Sequence, residues 1–168
     1  MGDSFWGVLS VLAIDPGAKT GWALFQSRVE RPWHLAACGV VCPQDHLWLG
    51  GLEDLDLVVI ENPQIYPSSK VPPNDILTLA RIVGRYEERF AGRAERIELV
   101  KPREWKGSVN GDIMARRIES ALSAYDKDVM RGCLVGTAEG YRHNAIDAIG
   151  LAQWTIKQRR LCPRAEGR

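Results

Sequence analysis

At 168 residues and 18.8 kDa the chain has the size of one ordinary domain, and with 45% hydrophobic residues it can bury a core without disulfide or metal staples. That composition, with 26% charged residues, excludes extended disorder except at the ends, and one domain is expected over 1–168, with a core of about 8–160 and a frayed tail after Cys162. The net charge of +1 decides nothing about partners, but residues 1–70 carry four Lys+Arg against eight Asp+Glu and residues 71–168 eighteen against thirteen, so the second half offers either a solvated helical face or a phosphate-binding one.

The four cysteines, Cys38, Cys42, Cys133 and Cys162, form no CxxC and no zinc-type spacing, and Cys38 and Cys42 read as packing residues on one face of a strand. The N-terminus lacks a basic start and long apolar core, and no apolar run reaches membrane-spanning length. A reducing, cytoplasmic setting with no membrane contact is expected.

In chain order, "VLAIDPG", "TGWALFQ" and "WHLAACGVVCP" are short segments of β-formers split by turn residues, which predicts an antiparallel meander. "LDLVVIENP" is a near-continuous apolar run, the pattern of a strand covered on both faces. After the Pro- and Ser-rich loop "PQIYPSSKVPPN", a helix is expected from an N-cap at Asn74, with Ile76, Leu79, Val83, Tyr86 and Phe90 as its apolar stripe. Its other faces carry Arg81, Arg85, Arg89 and Arg93 at every fourth position, and a small apolar surface of Leu77, Ala80 and Gly84 that suits either core contact or a dimer seam. "RIELVKP" predicts a fifth strand. "GDIMARRIESALSA" predicts a helix with Ile113, Arg117 and Ile118 near its inner edge. "RHNAIDAIGLAQWTIKQRR" predicts a last helix that begins near His143 or Asn144.

Three acidic residues stand at telling places: Asp15 ends the first strand, Glu61 ends the central one, and Asp147 lies in the first turns of the last helix. Each has an ordinary reading, as a turn residue, a strand-end charge, and the partner of Asn144 in a helix capping box. Together they form the set of oxygen ligands that two divalent cations need to clamp the attacking and leaving oxygens of a phosphoryl displacement.

In order and spacing the chain resembles the RuvC-type Holliday junction resolvases of the ribonuclease H-like superfamily, from about Val11 to Gln158. "AIDPGAKTGWAL" is similar to the family's first motif, "LVVIEN" to the second and "HNAIDAIGLA" to the last, while "VKPREWKGSV" followed by "GDIMARRIESAL" resembles its Pro-x-x-x-Lys segment and the helix after it. The resemblance implies an α/β fold, ribonuclease H-like, with a five-stranded mixed sheet flanked by helices. It also implies a homodimer that makes paired, metal-dependent nicks in four-way DNA junctions, with two Mg2+ or Mn2+ ions per site.

Asp15, Glu61 and Asp147 match the family's metal-binding carboxylates. Its fourth ligand, an Asp or His three residues before the last aspartate, is replaced here by Asn144, with His143 one residue earlier. Positions three and four before Asp147 share its helix face, so His143 is the preferred fourth ligand or proton-transfer group, with Asn144 as the cap. Lys106 matches the family lysine. Lys101, Arg103 and Lys106 are candidates for holding the phosphate backbone, and Tyr66 for a wedge that stacks on junction bases. Two alternatives stay open: a non-catalytic junction-binding protein, and a ribonuclease H-like nuclease acting on other branched DNA or on RNA:DNA hybrids. A sugar-kinase or actin-like fold also places Asp-x-Gly after strand one, but it needs two such domains and the chain is too short.

Overall fold

The computed structural model describes residues 9–28, 31–43, 52, 54–65 and 72–161; the expectations placed on Tyr66, Cys162 and the tail lie outside them. Strand β1 (Leu9–Asp15) pairs antiparallel with β2 (Thr20–Arg28), and β2 pairs antiparallel with β3 (Arg31–Val41), the expected meander. Strand β4 (Leu55–Glu61) lies parallel to β1 on its other side, and β5 (Ala94–Val100) lies parallel to β4, giving the order β3-β2-β1-β4-β5. The helices are α1 (Pro73–Phe90), α2 (Pro102–Trp105), α3 (Gly111–Ala121), α4 (Ala124–Cys133) and α5 (Glu139–Gln158).

Strand alternation divides the core between the two faces of the sheet. Val11, Ala13, Ala23 and Val59 point to one side, where the small residues Ala145, Ala148 and Ala152 let α5 come close to the strands. Leu12, Ile14, Val58 and Ile60 point to the other, under Val83, Tyr86 and Phe90 of α1. The parallel register pairs Ile14 with Ile60, so the next residue of each strand, Asp15 and Glu61, emerges side by side at the carboxyl ends of the two central strands. Ligand sites in open α/β sheets favour this edge.

Gly21 fixes where α5 crosses. It pairs with Asp15 across the β1–β2 turn, and a Cβ there would collide with the backbone carbonyl of Asn144 and lie 2.7 Å from the Ala145 nitrogen. The second glycine of "DPGAKTG" is therefore a contact point between strand and helix backbones. It sets Asn144, and Asp147 one turn later, beside the end of β1.

The edge strand β3 is held by α4. Ser123 caps that helix, and the buried Asp126 accepts a hydrogen bond from Leu35 N through Oδ1 (2.7 Å) and one from Ser123 Oγ through Oδ2 (2.7 Å).

Several local expectations need correction. Helix α1 starts one residue before Asn74, at Pro73, and Pro72 is its N-cap; proline suits the first helical position because the missing N–H would have no partner there. In α1, Ile82 is buried where Leu79 was expected, and Leu79 is half-buried. Leu77, Ala80 and Gly84 face solvent, with nothing within 4 Å of a Cβ built at Gly84, so the small surface makes no core contact within the described chain.

In α3 only a narrow face meets α5. Ile118 is buried and Met114 partly so, whereas Ile113 and Arg117, each one residue and about 100° away, are exposed. Helix α5 starts at Glu139 with Ala138 as N-cap, so Asn144 is not a cap and Asp147 is no capping-box partner. Cys38 is in the core, while Cys42 lies just past β3 with its Sγ 2.8 Å from Lys19 Nζ.

Candidate active site

Four charged side chains from four parts of the fold meet at the carboxyl edge of the sheet. Asp15 comes from β1, Glu61 from β4, Asp147 from the third turn of α5, and Lys106 from the C-cap of α2. Lys106 Nζ stands 3.2 Å from Glu61 Oε2 and 2.9 Å from Asp147 Oδ2. All three of these side chains are largely enclosed, Glu61 at 13% exposure, so their charges act on one another with little screening by water.

For Asp15 this proximity shows in proton affinity. Burial, and after it the charge of Glu61, raise the pKa of Asp15 well above its ordinary value of 3.8; the Lys106 ammonium opposes them, and Asp147 adds a smaller rise. For Lys106, burial alone would favour the neutral amine, but Glu61, Asp15 and Asp147 outweigh it and raise its pKa, so it stays an ammonium. One cation thus serves several carboxylates. The arrangement has room in its charge balance for more positive charge.

Trp105, which sequence reasoning passed over, completes the cluster. Its Nε1 donates to Glu61 Oε2 at 2.7 Å, and Lys106 Nζ lies 4.7 Å from the centre of its ring. The one available signal was its place directly before Lys106 in a polar segment, as the aromatic residue of "PREWKGS".

The remaining predicted residues are placed differently. Asn144 Nδ2 donates to the Lys19 carbonyl at 2.7 Å, tying α5 to the β1–β2 turn. His143 is exposed, one turn before Asp147. Lys101 and Arg103 are exposed on the segment that carries Lys106. Among the described residues, no three His, Cys, Asp or Glu side chains stand close enough to hold an ion between them as placed.

No family model and no curated protein matches the sequence. Solved structures do match. RuvC of T. thermophilus in complex with Holliday junction substrate aligns over 92% of this chain and 98% of its own, with 13% identity and a TM-score of 0.56. The fold is ribonuclease H-like. Structural neighbours across most of this chain are RuvC-type Holliday junction resolvases. They include the fowlpox virus resolvase with its substrate junction DNA (13% identity, 88% of this chain, 99% of that one, TM-score 0.58) and the yeast mitochondrial resolvase Ydc2 (9%, 89%, 82%, 0.55). In this RuvC-like fold the three acids sit on β1, β4 and the last helix, the order in which the sequence motifs placed them.

Proposed function

We propose that the chain is a metal-dependent endonuclease that resolves four-way DNA junctions by paired symmetric nicks. The observation that carries this reading is the gathering of Asp15, Glu61 and Asp147 around Lys106. The three acids bring more negative charge to this edge than one ammonium balances, and that excess suits cations of higher charge. The donors fit a hard divalent ion, because carboxylate oxygens suit Mg2+ or Mn2+ and the cluster offers no thiolate.

Asp15, Glu61 and Asp147 would hold the metal. Mg2+ or Mn2+, two ions per site, would supply Lewis-acid activation of the attacking water and would offset charge on the leaving 3′ oxygen. The chain's own groups do the rest. Lys106, an ammonium beside the acids, neutralises a non-bridging phosphate oxygen as the scissile group enters. Lys101 and Arg103 extend that positive track along the same segment and bind backbone phosphates without reading sequence. His143 is the proposed fourth group, as ligand or proton carrier; the Asn144 amide is already used to hold the turn. Tyr66 is the proposed aromatic wedge that stacks on junction bases.

The exposed surface of Leu77, Ala80 and Gly84 on α1 is the proposed two-fold seam of a homodimer, since paired nicks require two sites. The setting is proposed to be cytoplasmic; no helix among the described residues is long and apolar enough to cross a membrane. Labelled four-way junction, duplex, flap and RNA:DNA hybrid, each incubated with magnesium, manganese or chelator, test the reading. Metal-dependent paired nicks in the junction support it. Binding without cutting would favour the non-catalytic alternative, and preferential cutting of hybrid or flap would favour a different ribonuclease H-like nuclease.

A further inference from the structure

We propose that Trp105 is a positioning residue for Glu61: its indole N–H fixes the carboxylate's rotation and so aims Glu61 at the metal. The inference rests on the metal-site reading above. Trp105 is 8% exposed, and an indole N–H can only donate, so it needs an acceptor when buried. It finds Glu61 Oε2 at 2.7 Å, the same oxygen that lies 3.2 Å from Lys106 Nζ. A directional hydrogen bond from the indole, beside an ion pair on the same oxygen, sets the terminal torsion of the side chain and with it the direction of Oε1. Hydrogen bonds from a neutral donor to a carboxylate are among the stronger ones, and they hold best where water is excluded.

The seat of the ring is built for it. Gly150 lies three residues after Asp147 on α5, and a Cβ there would lie 2.9 Å from Trp105 Cζ3 and collide with the Cδ1 of Ile118. The bare helix backbone at Gly150 therefore admits the indole against the helix that carries Asp147. Trp105 touches the elements of two proposed ligands at once, bonding to Glu61 on β4 and packing beside α5. The acceptor this buried N–H finds is a carboxylate of the site itself.

Trp105→Phe keeps the ring and removes the donor. Calorimetric titration of the full chain with Mn2+ should give binding to Trp105→Phe about 10- to 100-fold weaker than to the unsubstituted protein, the range typical for groups that orient metal ligands, with a melting temperature without metal close to the original. A spectroscopic reading guards against poor folding of that variant. Among the six indole N–H signals of the labelled protein, the one absent from Trp105→Phe should shift in Glu61→Gln and again when Mg2+ is added to the unsubstituted chain. Equal Mn2+ affinity in Trp105→Phe and the unsubstituted protein, or an indole signal indifferent to Glu61→Gln, overturns the inference and leaves the metal site standing. Failure of the unsubstituted protein to bind Mn2+ overturns the metal site and this inference with it.

Discussion

Asp15 is a carboxyl group that the fold makes reluctant to ionise, through burial first and then the charges of Glu61 and Asp147. Its proton is held more tightly in the folded chain than in the unfolded one. Its contribution to stability is therefore present at acid pH and is lost as pH rises from the ordinary value of 3.8 through the higher folded value. Above that range, ionised Asp15 is a cost that divalent cation would relieve. Asp15→Asn removes the titration. In metal-free buffer the melting temperature of Asp15→Asn should exceed that of the unsubstituted protein by a margin that widens as pH rises above 3.8 and narrows when Mg2+ is added. A margin flat in pH would remove the electrostatic account of the cluster.

Also at the scale of single residues, His143 and Asn144 should separate cleanly. His143→Ala should lower turnover by about 10²-fold or more, the effect of a lost acid-base group, with little change in melting temperature. Asn144→Ala should cost about 1 kcal/mol of stability through the lost bond to the Lys19 carbonyl, read by denaturant unfolding, while retaining most activity. The reverse pattern would make the Asn144 amide the functional group.

Among the elements, α5 matters most because it carries Asp147 across the sheet, and Gly21 decides whether it can dock. Gly21→Ala forces a methyl group into the backbone of Asn144. Overpacking typically costs about 1–3 kcal/mol, and a collision with backbone belongs at or above the upper end. Denaturant unfolding should show that loss. Stability unchanged in Gly21→Ala would mean that α5 does not lie where described.

The meander, the buried fourth strand and the three strand-end or helix-borne acids were legible in the sequence because each rests on a strong periodic signal: alternation in β1 and β2, a continuous apolar run in β4, alanines at helical spacing in α5. Helix starts were less legible. Asn74 and Asn144 both looked like caps, yet α1 begins on Pro73 and α5 on Glu139, because side-chain capping is optional where the first turn is exposed and Asn144 has a tertiary partner in the Lys19 carbonyl. Helix α4 was passed over altogether: its short polar sequence gains its place from Asp126 holding Leu35 N, 91 residues away. Trp105 was missed for a similar reason, since its bond to Glu61 joins residues far apart in the chain.

For the whole molecule, the proposal of two coordinated nicks needs two copies of the site. The exposed Leu77, at 58%, and the open Gly84 give α1 a flat surface that a second copy could cover. Gly84→Arg should convert a dimer into monomers in sedimentation velocity and turn paired nicks into single ones. A protein that is monomeric at micromolar concentration and still makes paired nicks would exclude this seam and the dimer together.

Under the proposed function, Asp15, Glu61 and Asp147 act as one metal-dependent centre on a four-way junction. The most direct test measures cleavage and binding of the same labelled junction by the unsubstituted protein and by Asp15→Asn, Glu61→Gln and Asp147→Asn, with Mg2+ and with chelator. Each substitution should abolish cutting as completely as chelator does, while junction binding persists or tightens as repulsion of phosphate falls. Full Mg2+-dependent cutting by Asp15→Asn would contradict the proposed function.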